Sequence, residues 1–175
     1  MLETAELLCA AAEVSAAVSR LAREITTVLA DEFPLVLCVM RGGVVFAGQL
    51  LPQLKFPLEL DYIDLGRYGA ETRGGEIAWR KAPDAGMASR TVLVLDDILD
   101  EGRTLAAIRE RLLSLGAKRV MIAVFSEKDT GRPKAASADF TGVKLPDRYV
   151  FGFGMDVSGA WRNLPGIYAL KEDLE

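Results

Sequence analysis

Residues Val92–Thr104 read VLVLDDILDEGRT, and this stretch decides the architecture. Val92 to Leu95, extended backward by Thr91, is a continuous apolar run, the pattern of a strand buried on both faces in a parallel sheet. Two adjacent acids, Asp96 and Asp97, stand at its tip, a third, Asp100, follows, and Gly102-Arg103-Thr104 forms a short turn. A helix is expected from Leu105, with Ile108, Leu112 and Leu115 inward and Gly116 as its stop. Strand, turn and helix in this order are the repeating half of an α/β domain, in which ligands sit outside the carboxyl ends of the strands.

The flanking segments repeat the pattern. Leu35–Met40 (LVLCVM) is a second buried strand, followed by Arg41-Gly42-Gly43 and a helix-like VVFAGQLLPQL. Thr4 to Ala30 reads as one long amphipathic helix, with Leu7, Ala11, Val14, Val18, Leu21, Ile25 and Val28 on one stripe and Asp31 to Pro34 ending it. Leu58 to Leu65 is expected as a strand leading into the polar, glycine-rich Gly66 to Gly75, with Ile77–Trp79 returning as a hairpin arm and Pro83 to Ser89 as a loop. Val120–Phe125 is another buried strand, Asp129 to Leu145 is mostly loop, and Tyr149–Phe153 is a last strand before an irregular tail, MDVSGAWRNLPG. Strands alternating with helices predict a mainly parallel sheet. A chain of 175 residues, half of them apolar, fits a single domain over 1–175.

Lysine and arginine number 21 against 25 aspartates and glutamates, a net charge of −4. Such a chain has no general attraction for nucleic acid or anionic lipid, so neither is expected as a partner, and any phosphate binding must be local. Cys9 and Cys38 sit in apolar stretches without metal-ligand spacing and read as small buried hydrophobes in a reducing compartment. The absence of histidine removes histidine triads, histidine-ligated zinc and imidazole bases. With no basic leader and no apolar run near about 18 residues, a soluble cytoplasmic protein is expected.

The amides of Glu101, Gly102, Arg103 and Thr104, with the Thr104 hydroxyl, would make an anion nest at a helix N-terminus, suited to a phosphate monoester. Asp96 and Asp97 can accept hydrogen bonds from ribose hydroxyls or hold Mg²⁺ through its water shell. A sugar phosphate with vicinal hydroxyls satisfies all of these groups together. An acidic cap and a solvated turn would account for one aspartate but not for three beside Gly-Thr. Neither GxxxxGK[ST] nor a GxGxxG after a strand is present. Arg41-Gly42-Gly43, with freed amides and one cation, can hold pyrophosphate, although by itself it is better read as a turn.

Val92–Thr104 resembles the diphosphosugar motif of the type I phosphoribosyltransferase family: four apolar residues, two acids, two apolar residues, then acid, x, Gly, x, Thr. VFSEK at 124–128, PDRYV at 146–150, FGFGMD at 151–156 and WRNL at 161–164 are similar, in order and spacing, to the hypoxanthine-guanine phosphoribosyltransferase branch. The resemblance spans about Leu35 to Leu170 and implies a mainly parallel sheet flanked by helices, with a small hood and a flexible loop. It implies that Arg41, Gly42, Asp96, Asp97, Asp100, Glu101, Gly102, Arg103, Thr104 and Arg162 bind phosphoribosyl pyrophosphate. Lys128 would donate to the purine 6-oxo group, Tyr149 would stack on the base, Val150 would give it backbone contacts, and Asp156 would belong to the same pocket. Asp96 and Asp97 would serve Mg²⁺, Asp156 a second Mg²⁺, and Asp100 and Tyr68 would act in catalysis. The family usually has lysine where this chain has Arg41, and often Ser-Tyr where it has Arg67-Tyr68. Members are usually dimers or tetramers, so a homodimer or homotetramer is implied. A xanthine or adenine enzyme of the same family, and a regulator that senses phosphoribosyl pyrophosphate, stay open at this level.

Overall fold

The apolar runs form the centre of a six-stranded sheet, seen in a computed structural model that describes residues 2–67 and 77–171. In chain order its strands are β2 (Leu35–Met40), β3 (Glu59–Arg67), β4 (Ile77–Lys81), β5 (Thr91–Leu99), β6 (Arg119–Asp129) and β7 (Phe140–Pro146). They lie in the order β4-β3-β2-β5-β6-β7. Neighbours are parallel except in the β3–β4 hairpin.

Alternation along each strand divides the core in two. Val36, Cys38, Leu93, Leu95, Met121, Ala123 and Phe125 pack on one face with helices α1 (Ala11–Leu29) and α2 (Gly43–Leu50). Leu35, Leu37, Val39, Val92, Val94, Ile122 and Val124 pack on the other with helix α3 (Arg103–Ser114). This two-sided burial explains why the central strands read as unbroken apolar runs.

Several expectations are corrected. Residues 4–30 are not one helix, because Glu6–Cys9 form a strand, β1, before α1. β1 pairs antiparallel with β9 (Ile167–Ala169), which pairs with β8 (Val150–Phe151), giving a small second sheet. α1 starts after Ala10, whose amide donates to Glu13 Oε2 at 2.7 Å. Its buried stripe is Val14, Ala17, Val18, Leu21, Ala22, Ile25 and Leu29, whereas Leu7, Ala11 and Val28 are exposed. Within Asp129 to Leu145, residues 130–139 are loop as expected, but Phe140–Pro146 adds an edge strand, β7, that the sequence reading did not place. The expected last strand, Tyr149–Phe153, shrinks to Val150–Phe151 and belongs to the small sheet.

β5 does not stop at Leu95 but runs to Leu99, because β6 continues to pair with it through Asp96 opposite Val124 and Leu99 opposite Glu127. The acid pair therefore sits inside the sheet rather than beyond its tip. α3 begins at Arg103, two residues before the expected Leu105. No helix among the described residues is long and apolar enough to cross a membrane.

Candidate active site

Three cavities meet at the carboxyl ends of β2, β5 and β6. The first, of about 240 Å³, lies along Asp96 to Leu105. Its floor is the turn into α3, where Gly102 adopts φ +78°, a left-handed conformation that glycine takes without strain. A Cβ at Gly102 would also come within 2.7 Å of the Ala136 amide nitrogen, so the turn is closed from behind. Glu101 and Arg103 extend outward and pair with one another at 3.1 Å. Their side chains thus neutralise each other at the rim, which leaves their amides as the part suited to an anion.

The second cavity, of about 550 Å³, is walled by Arg41 and Gly42 after β2, by Leu65 and Gly66 at the end of β3, and by Asp96, Asp97, Thr104, Asp156 and Arg162. The Arg162 guanidinium is aimed by two acceptors, the Gly154 carbonyl at 2.6 Å and Asp156 Oδ1 at 2.5 Å, and lies 4.0 Å from Asp97. A guanidinium carries five N–H donors, so an anion in this cavity can be met by the others. The Met40–Arg41 peptide that brings Arg41 here is cis.

The third cavity, of about 200 Å³, is lined by Asp97, Ile98, Asp100, Lys128, Tyr149, Val150, Met155 and Asp156. Lys128 Nζ lies 3.2 Å from Asp100 Oδ2, although Lys128 is on β6 and Asp100 just past the end of β5. The Tyr149 ring is half exposed, and its hydroxyl donates to the Asp156 carbonyl at 3.4 Å. Val150 is buried at the start of β8.

Asp97 borders all three cavities, and its position rests on an absence of side chains. A Cβ on Gly42 would collide with the Asp97 carboxylate, and one on Gly154, at φ +103°, would collide with the Gly42 carbonyl. The buried Ser126 hydroxyl donates to the Asp97 carbonyl at 2.9 Å and fixes its main chain from β6.

Burial pushes the Asp96 carboxyl well above the ordinary value of 3.8, and the neighbouring Asp97 charge adds to the effect. Asp97 is raised as well, mainly by burial, with hydrogen bonding from Asp96 and the charge of Arg162 opposing it. Two carboxylates out of water with so little cationic compensation fit a cation at this point. The sequence expectation is one Mg²⁺ at Asp96 and Asp97 and a second at Asp156. Among the described residues no group of three or more acidic, histidine or cysteine side chains is placed to hold a metal. Asp156 is already engaged by Arg162 and, at 2.7 Å, by the Gly159 amide. Any ion would therefore draw most of its oxygens from water and substrate, as Mg²⁺ commonly does.

A stability consequence follows from the buried pair. With a folded pKa above the unfolded one, the folded state binds more protons between the two values, so stability falls as pH rises through that window. In metal-free protein at pH 7, Asp96→Asn is therefore expected to melt higher than wild type, by about 2–4 °C per kcal/mol of repulsion removed. The difference should shrink towards pH 4, and added Mg²⁺ should raise the wild-type melting temperature more than that of the variant. An Asp96→Asn protein that melts lower at pH 7 than at pH 4, relative to wild type, would contradict this picture of the pair.

Fifteen residues carried the sequence expectation, and fourteen of them border these three cavities: Arg41, Gly42, Asp96, Asp97, Asp100, Glu101, Gly102, Arg103, Thr104, Lys128, Tyr149, Val150, Asp156 and Arg162. Tyr68, and most of the stretch Gly66 to Gly75, lie outside the described residues. Sequence reasoning missed Ser126, Gly154 and Met155 as parts of the site. The alternating glycines of FGFGMD were a signal for Gly154, since they mark close approach of main chains.

Residues 7–158 match the phosphoribosyl transferase domain family. The hypoxanthine-guanine phosphoribosyltransferase of Bacillus subtilis is 35% identical over 160 residues, covering 91% of this chain and 89% of that protein. A solved hypoxanthine-guanine-xanthine phosphoribosyltransferase superposes with a TM-score of 0.81 at 30% identity, covering 99% of this chain and 98% of the other. A hypoxanthine phosphoribosyltransferase from Staphylococcus aureus gives a TM-score of 0.91 at 26% identity, covering 99% and 95%. With the diphosphosugar turn in place at the end of β5, the chain belongs to the phosphoribosyl transferase domain family, on its hypoxanthine-guanine branch.

Proposed function

We propose that this protein transfers the phosphoribosyl group of phosphoribosyl pyrophosphate to hypoxanthine or guanine, giving IMP or GMP and pyrophosphate in purine salvage. The observation that carries the reading is the meeting of three cavities at Asp97: a phosphate nest, a diphosphate-sized cavity with two arginines, and a small base-sized pocket. A sugar with a phosphate on one side, a diphosphate on another and an incoming base on the third has that outline.

In this reading the turn 101–104 holds the 5′-phosphate, and Asp96 and Asp97 accept hydrogen bonds from the ribose hydroxyls. Arg41 and Arg162 meet the pyrophosphate, whose negative charge grows as its bond to the anomeric carbon breaks. Mg²⁺ beside Asp96 and Asp97 would neutralise the diphosphate oxygens and ease departure of that group. Tyr149 and Ile98 offer apolar surface for the purine plane, and Lys128 donates to the 6-oxo oxygen. Purine N9 attacks, the base acquires positive charge, and Asp100 takes up or shares the proton at N7. Holding both substrates at one junction supplies a large share of the acceleration. Tyr68 and the segment around it would exclude water from the cation-like sugar. We place the protein in the cytoplasm as a homodimer or homotetramer, one domain per chain.

Purified protein given hypoxanthine, phosphoribosyl pyrophosphate and Mg²⁺ is expected to release pyrophosphate. Excess chelator should abolish the release and added Mg²⁺ restore it, because diphosphate and paired carboxylates repel without a cation between them. Guanine, xanthine and adenine belong in the same panel, since one structural relative is named for xanthine. No release with any of the four purines would sink the reading.

A further inference from the structure

β5 and β6 pair as far as Leu99 opposite Glu127, and the residues that follow, Asp100 just past β5 and Lys128 on β6, carry the ion pair of the base pocket. Where the ladder ends, the main-chain carbonyls need other donors. Lys134, on the loop between β6 and β7, supplies them. Its Nζ donates to the Lys128 carbonyl at 2.6 Å and to Glu127 Oε1 at 2.9 Å, and lies 3.5 Å from the Leu99 carbonyl. An ammonium has three hydrogens and no acceptor, so these three oxygens account for its donors. The side chain is only 14% exposed. Glu127 is braced in turn by the Thr141 hydroxyl at 3.4 Å.

The residues that follow Lys134 support the other half of the site. The Ala135 amide donates to the Glu101 carbonyl at 2.9 Å, and the Ala136 amide backs Gly102 in the phosphate turn. One short segment thus reaches from the base pocket to the nest.

We infer that Lys134 is a positioning residue that fixes the separation of Lys128 from Asp100 and so the placement of the purine. The inference deepens the purine-transfer reading and rests on it. Without the ammonium, two carbonyls and a carboxylate lose a shared donor, which leaves only the last pair of the ladder and the Lys128–Asp100 ion pair to hold the two strand ends together. A displacement of about 1 Å between reacting partners costs on the order of 10²-fold in rate.

Lys134→Met keeps the apolar stem and removes the three donors. Its KM for hypoxanthine is expected to rise by about 10-fold or more, and its preference for hypoxanthine over adenine to fall by about 10-fold, because the 6-oxo donor is no longer held in place. Calorimetric binding of phosphoribosyl pyrophosphate with Mg²⁺ should stay within about threefold, since the ribose acids and Arg162 do not depend on Lys134. A lower melting temperature with an unchanged purine KM and preference would make Lys134 a scaffold residue only and overturn the inference. Equal loss of sugar-diphosphate binding would overturn it too, because the whole sheet edge would then have loosened. If Lys134→Met does not fold, Lys134→Leu, which also removes every donor, is judged in the same way: a raised purine KM supports the inference and a wild-type value removes it. Wild-type protein inactive with every purine would instead remove the functional reading beneath it, a result visible before any variant is compared.

Discussion

Lys128→Met is expected to lower kcat/KM for hypoxanthine and guanine by about 10²–10³-fold while leaving adenine nearly unaffected. In the wild type, adenine should be the poorer substrate by at least about 10³-fold, for a reason of charge and valence. The ammonium has three donors and no acceptor, so it can meet a 6-oxo oxygen and only opposes a 6-amino group. Lys128 is mostly buried and already spends one hydrogen on Asp100 at 3.2 Å, so a base without an acceptor leaves the rest of its charge desolvated and unmet. Methionine keeps the stem and removes the charge, and the partner Asp100 is half exposed, so water can take over its solvation. The fold should therefore survive. Steady-state kinetics with the three bases checks this directly. A variant that kept the full 6-oxo preference would place Lys128 outside recognition and leave specificity to Tyr149 and the Met155–Asp156 wall.

Asp100→Asn should reduce kcat by about 10–10³-fold with little change in the Kd for phosphoribosyl pyrophosphate. The amide still offers an oxygen to Lys128 but cannot accept a proton from the purine. Asp100 lines both the base pocket and the phosphate-nest cavity, which gives it reach to the base without making it the floor of the nest. Single-turnover rates at saturating substrates, paired with equilibrium binding of the sugar diphosphate, separate the two possibilities. Rate and binding falling in parallel would make Asp100 a binding group rather than the proton acceptor.

Much of the site was legible in the chain because its parts are local. The run Val92–Leu95, the acids after it and Gly102-Arg103-Thr104 occupy consecutive positions, so their relation is set by a strand, a turn and a helix start. Even there the limits were blurred. β5 continues through Asp96 and Asp97 because a partner strand continues beside it, and nothing in the residues' own propensities announces that partner. Glu6–Cys9 failed in the same way. Leu7 sits at a helical interval from Ala11 and Val14, yet pairing with Ile167–Ala169 from the other end of the chain makes the segment a strand. Phe140–Pro146 carries Lys144 and Thr141 among its apolar residues, since an edge strand is only half buried and reads like loop.

The sequence by itself determined the α/β class, the central strands and the diphosphosugar turn, because periodicity and turn chemistry depend on near neighbours. Only the tertiary structure joined Lys128 to Asp100, set Arg162 between Gly154, Asp156 and Asp97, and pressed Gly42 and Gly154 against one carboxylate. It alone brought Lys134 beneath the base pocket, and Ala135 and Ala136 of the same loop beneath the phosphate turn. Those contacts join residues far apart in the chain. They exist because packing two cores against one sheet leaves its strand ends as the place where distant main chains converge, and there each buried charge must find a partner.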